Sequence, residues 1–182
     1  MRIDLIPLDR MDAAQRRIHD EAVAGKRGRL PAPLAAWLHS PPMAEHAQRL
    51  GAFLRYDTSL SPALSELAIL VTARAWTSHY EWYAHKKEAL KAGVDAAAID
   101  AIAERRRPAL TDPAAEAVYD YATALHERHV VTDEIHGRAR RHLGERGIVE
   151  LIGLLGYYTL ISMTLNALEI GLPEGETVEL KP

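Results

Sequence analysis

The stretch Ser61-Pro-Ala-Leu-Ser-Glu66-Leu-Ala-Ile-Leu-Val-Thr-Ala-Arg74-Ala-Trp-Thr77-Ser78-His-Tyr-Glu81-Trp82-Tyr-Ala-His85-Lys-Lys-Glu-Ala-Leu-Lys-Ala-Gly93 decides the fold. Ser61-Pro62 is a cap followed by proline at the first helical position. Leu64, Leu67, Ala68 and Val71 then form an apolar stripe at helical spacing, which predicts a helix from Pro62 to about Trp76. Thr77 and Ser78 break the pattern and open a second helix over about His79 to Ala92, and Gly93 ends it. With this break between the helices and 15 residues between Glu66 and Glu81, Glu66 of the first helix is expected to approach Glu81 and His85 of the second.

The same punctuation recurs on both sides. A helix is predicted over Asp9–Ala24, ending at Gly25, followed by a loop through Pro33 and a short helix at Leu34–His39. Ser40-Pro41 starts a helix to about Tyr56, Asp95 caps Ala96–Glu104, and Asp112-Pro113 opens Ala114 to about His129. Thr132 opens a helix to about Leu143. Gly144 and Gly147 follow, and a long apolar helix, Ile148 to Leu168, comes last. In the tail, Val178-Glu179-Leu180 is expected to be extended. No stretch alternates with the period of a strand, so the expected class is all-α, a single-domain helical bundle over 1–182.

Composition narrows the function. A net charge of −3 sets up no field for nucleic acid or an anionic membrane. With no cysteine, disulfides, thiolate nucleophiles and thiolate metal sites are excluded. Met1-Arg2-Ile3-Asp4 does not resemble a signal peptide, and a cytoplasmic location is expected. Residues 148–165 approach the length of a membrane span. They carry Glu150, Ser162, Thr164 and two glycines nearby without a flanking basic cluster, so a buried or interfacial helix is expected rather than a membrane helix.

On a helix starting at His79, Ser78, Glu81 and His85 share one face, and Glu81 and His85 are one turn apart. A carboxylate beside an imidazole raises its pKa and fixes its orientation, which suits a general acid. A second reading is purely local: Ser78-x-x-Glu81 has the form of a capping box, and His85 is then a half-buried histidine. Glu66 lies near the start of the preceding helix, where the dipole favours an acid. Arg74, on the same helix, either reaches back toward Glu66 or offers a cation to a ligand carboxylate. His126 and His129, at i, i+3, lack the usual one-turn spacing of a zinc helix, and no metal site is expected. Lys26, Arg27 and Arg29 in a glycine-containing loop are either a lid over an anionic ligand or a mobile loop.

Glu66-Leu67-Ala68-Ile69-Leu70, then Ser78-x-x-Glu81-x-x-x-His85, then Ala92-Gly93 together resemble the carboxymuconolactone decarboxylase and alkylhydroperoxidase D family. The resemblance extends over residues 50–171, leaving 1–49 as an N-terminal helical extension. It implies an all-helical fold of the alkylhydroperoxidase D-like type and a homo-oligomer, trimer or hexamer. In the peroxidase branch a Cys-x-x-Cys-x-x-x-His motif does the chemistry. Its cysteines match Ser78 and Glu81, its histidine His85 and its relay glutamate Glu66. Serine and glutamate cannot replace two thiols, so a generic peroxiredoxin-like label would carry no peroxidase activity. The cysteine-free branch implies cofactor-independent decarboxylation of a small carboxylated lactone in aromatic-compound degradation. His85, Glu66 and Glu81 are then the expected catalytic groups, and Arg74, Ser78 and Trp82 the expected substrate contacts. The alternative is an oligomer of this fold that binds a small ligand without turning it over.

Overall fold

The computed structural model describes residues 1–26 and 28–181. Helices form where the caps and prolines place them. They are α1 (Ala13–Ala24), α2 (Ala32–Trp37), α3 (Pro41–Tyr56), α4 (Pro62–Ala75), α5 (His79–Lys91), α6 (Ala96–Ala103), α7 (Pro113–Arg128) and α8 (Asp133–Ala167). A single 3₁₀ turn, Leu8–Arg10, precedes α1. Helix α1 starts later than the apolar pattern suggested. Asp12 and Gln15 form a reciprocal capping box that sets its first turn. No strand is assigned among the described residues, and the 178–180 stretch is irregular chain that buries Leu180.

Helix α4 is the axis of the fold. Every residue from Ser65 to Arg74 is buried, because α5, α7 and α8 pack around it and α6 lies against its far end. A helix buried on all sides reads as apolar all round, and the Leu67–Val71 run does. Helices α1 and α2 pack on α3, and α2 and α3 lie against α8. The resulting core is continuous from Ile18 in α1 to Leu165 in α8.

The two C-terminal helices expected on either side of Gly144 are present: α8 is two helical segments that meet at a kink at Gly144, whose backbone is not helical (φ 66°, ψ 179°). That backbone region is open to glycine and costs any other residue dearly. By length and composition α8 would suffice to cross a membrane. In this fold its inner face, Leu151, Leu154, Tyr158, Ile161 and Leu165 among others, is core. Val149, Ile152 and Met163 on its outer face stay exposed. Glu150 pins the α3–α4 loop to the segment of α8 that follows the kink. Its Oε2 accepts from the Ser59 backbone N–H (2.7 Å) and Ser59 Oγ (2.5 Å), and its Oε1 accepts from Arg146 Nε (2.8 Å). Despite burial, these donors hold the Glu150 carboxyl below the usual range.

Candidate active site

The α4–α5 turn is a Schellman closure. Thr77 takes the left-handed conformation (φ 45°), its N–H donates to Arg74 O (3.1 Å), and the Ser78 N–H donates to Ala73 O (2.8 Å). Helix α5 therefore returns antiparallel along α4. His85 lies seven residues past Ser78, about 10 Å along the helix, and comes level with Glu66 near the start of α4.

There His85 Nδ1 is 2.7 Å from Glu66 Oε2. On the other side, Nε2 is 3.1 Å from Glu81 Oε2, an ion-pair contact whose angle falls short of a good hydrogen bond. All three side chains are buried, His85 to within 3% of full exclusion. The capping-box reading fails on the same observation. Ser78 is the N-cap residue, but its hydroxyl caps nothing, and Glu81 turns to the imidazole. Burial works to push the His85 pKa down. The hydrogen bonds and charges of Glu66 and Glu81 outweigh it and hold the ring at about 9, so it is an imidazolium at neutral pH.

Two further side chains complete the group. Tyr158 of α8 meets the His85 ring edge-on, with centroids 4.9 Å apart. Arg55 of α3 brings Nη1 to 3.5 Å from His85 Nε2. Burial opposes the Arg55 charge. Tyr158, Tyr56, Glu66 and Glu88 nevertheless raise its pKa, and it stays a cation. The acidic side chains Glu66 and Glu81 thus face the imidazolium and the guanidinium at close range.

His85, Glu81 and Arg55 line a cavity of about 470 Å³ together with Tyr80, Tyr158 and the loop residues Lys26 and Arg29. Lys26 is paired with Asp57 (2.6 Å). Arg29 is exposed and makes no ion pair among the described residues. Lys26 and Arg29 of the basic loop thus line the same cavity as His85; Arg27 lies outside the described residues.

The structure brings Glu66, Glu81 and His85 together and leaves Arg74, Ser78 and Trp82 elsewhere. Arg74 is eight residues beyond Glu66, about 12 Å along α4, so it lies at the turn end of the hairpin. It donates to Thr77 Oγ1 (2.9 Å) and Lys181 O (2.7 Å) rather than reaching Glu66. Ser78 is fully buried under the same turn. Trp82 follows Glu81 by one position, about 100° around the helix, and enters the core, its Nε1 donating to Glu179 (3.3 Å). The guanidinium beside His85 is that of Arg55, which sequence reasoning missed. It sits 30 residues from His85 in an unremarkable helix, and no spacing links the two. His126 bonds Thr72 Oγ1 (3.0 Å), and among the described residues no group of acidic and imidazole side chains is arranged to hold a metal.

Residues 41–124 match the model of the carboxymuconolactone decarboxylase family. That segment is similar to the family. It runs from α3 to α7 and so carries Arg55, Glu66, Glu81 and His85, while Tyr158 lies beyond it. It also begins before residue 50, so α3, expected in part as extension, falls inside the family region. Among solved structures, an uncharacterized peroxidase-related protein from Silicibacter sp. TM1040 superposes with a TM-score of 0.74 at 15% identity. The alignment covers 92% of this chain and 89% of that one. At that identity the likeness is one of fold, the all-α alkylhydroperoxidase D-like bundle. A comparison with curated proteins found no match.

Proposed function

We propose that this chain is a cofactor-independent carboxy-lyase acting on a small carboxylated lactone of aromatic-compound degradation. One observation supports the reading most. A buried imidazolium, oriented by Glu66 at Nδ1, faces a cavity whose other polar walls include Arg55, Lys26 and Arg29. Arg55 and the basic loop receive the substrate carboxylates. The C–C bond to one carboxylate breaks, CO₂ leaves, and the electron pair passes into the conjugated lactone carbonyl to give a dienolate. The His85 cation stabilises that charge, and Nε2–H then gives its proton to carbon. Glu66 keeps the ring in place and steadies its charge throughout. Neutral His85 regains a proton from water through the open cavity.

The sequence has no cysteine, so family members' thiol peroxidase chemistry is not available to it. The exposed apolar row Val149, Ile152 and Met163 on α8 supports a homo-oligomer, trimeric or hexameric. The test is incubation of the purified protein with 4-carboxymuconolactone and related carboxylated lactones, following ultraviolet absorbance and CO₂ release. Catalysed CO₂ release is the expected result. Saturable binding in the cavity without CO₂ release would replace the lyase by a ligand-binding oligomer.

A further inference from the structure

The guanidinium that sequence reasoning assigned to the His85 site defines a place of its own. Arg74 is only 5% exposed, yet among the described residues no carboxylate lies within ion-pair distance of it. A guanidinium carries five N–H donors. Two are used, on Thr77 Oγ1 and Lys181 O, and Nε is buried with no acceptor. A second cation is turned toward it, since Arg105 Nη2 also donates to Thr77 Oγ1 (3.2 Å). Thr77 (φ 45°) and Arg105 (φ 58°) both hold left-handed backbone that neither residue type favours. Burying a cation with no carboxylate partner among the described residues and placing another beside it is unfavourable on both counts. Of the acids near this end of the molecule, Glu104 and Glu179 are engaged by Arg106 and by Lys86 and Trp82, while Asp100 and Glu127 make no ion pair with either arginine among the described residues.

Arg74 and Arg105 both line a cleft of about 240 Å³ between α4, α6 and α7. Its walls combine apolar Val71 and Ile102 with Tyr119 and His126, and Glu127 lies in the wall beside His126. Thr72 gives its only hydroxyl hydrogen to Ala68 O, so the His126 Nε2 facing it carries the proton. That leaves His126 Nδ1 as the ring's titrating nitrogen, with burial and His129 pushing the ring toward neutrality. The cleft is smaller than the roughly 300 Å³ at which drug-sized sites begin, and its chemistry is a fork of donors at one end of an apolar slot.

We infer that this cleft is a second ligand site, separate from the His85 cavity, which takes a small carboxylate with a compact aromatic or apolar body. The carboxylate supplies the acceptors that Arg74 and Arg105 lack, and Val71, Ile102 and Tyr119 cover the body.

The test is NMR titration of the full chain with benzoate, with inorganic phosphate and neutral benzamide as comparisons. Benzoate is expected to shift the Ile102 methyl and His126 ring resonances saturably and to raise the His126 titration midpoint, more tightly than either comparison. Arg105→Gln, an exposed substitution, weakens binding by at least about tenfold, as expected for one charge-assisted hydrogen bond. Arg74→Lys, if folded, weakens it similarly because it loses the fork. Arg55→Met leaves the affinity of this cleft unchanged. Shifts confined to His85 and Tyr158, benzamide or phosphate binding as tightly as benzoate, or an Arg105→Gln affinity equal to wild type would each overturn the assignment.

Discussion

Replacing Glu66 with Gln tests the electrostatics on which His85 depends. The substitution keeps an acceptor at the 2.7 Å contact but removes the charge. In the native protein the ring titrates at about 9, against an ordinary 6.5. At roughly 1.4 kcal/mol per pH unit, that gap is about 3 kcal/mol of preference for the charged ring. Because the folded pKa lies above the unfolded one, the contribution is fully present below pH 6.5. It declines as pH rises and is lost once pH passes about 9. Wild type should therefore lose on the order of 3 kcal/mol between pH 6 and pH 9.5. In Glu66→Gln only Glu81 still raises the ring, so roughly half of that dependence should disappear and the His85 midpoint should fall. Urea denaturation at pH 6, 7.5 and 9.5, with an NMR titration of the His85 ring, reads both quantities. Subtracting the two proteins cancels the other groups that titrate in the same window. A His85 midpoint near 6.5 in the folded wild type, or identical pH profiles for the two proteins, would refute the reasoning.

Arg55→Met keeps the aliphatic reach of the side chain and deletes the guanidinium beside His85. It should raise KM for a carboxylated substrate by about ten- to a hundredfold, with a smaller change in kcat, in steady-state kinetics at fixed ionic strength. Gly144→Ala should destabilise by about 1–3 kcal/mol in chemical denaturation, purely through backbone strain, since no atom lies within 4 Å of the added methyl. Sedimentation velocity at micromolar concentration should show an oligomer, and Val149→Glu with Ile152→Glu should shift it toward monomer. A wild-type monomer would remove the assembly from the account.

Much of this architecture was legible because proline and capping residues mark the helix starts. Ser40-Pro41, Ser61-Pro62, Asp95 and Asp112-Pro113 stand where α3, α4, α6 and α7 begin. The meeting of Glu66 with His85 was legible too, because a two-residue break folds α5 back on α4 over a countable number of turns. Placement around the helix axis was less so. Arg74 and Trp82 were assigned to the right helices, but each departs from the Glu66–His85 face, by distance along α4 for one and by rotation for the other. Ser78 and Glu81 have the spacing of a capping box. Only the presence of a buried imidazole one turn on decides that Glu81 pairs with His85 instead. Arg55, Tyr158 and the basic loop converge on His85 from three separate parts of the chain, and no local pattern encodes such contacts.

The most direct measurement is the rate of His85→Gln relative to wild type in CO₂ release from 4-carboxymuconolactone at pH 7, with folding of both proteins verified by circular dichroism. If the buried imidazolium delivers the proton, kcat should fall by about 10²–10⁴-fold, the usual contribution of one positioned acid. A folded His85→Gln protein releasing CO₂ at the wild-type rate would contradict the account.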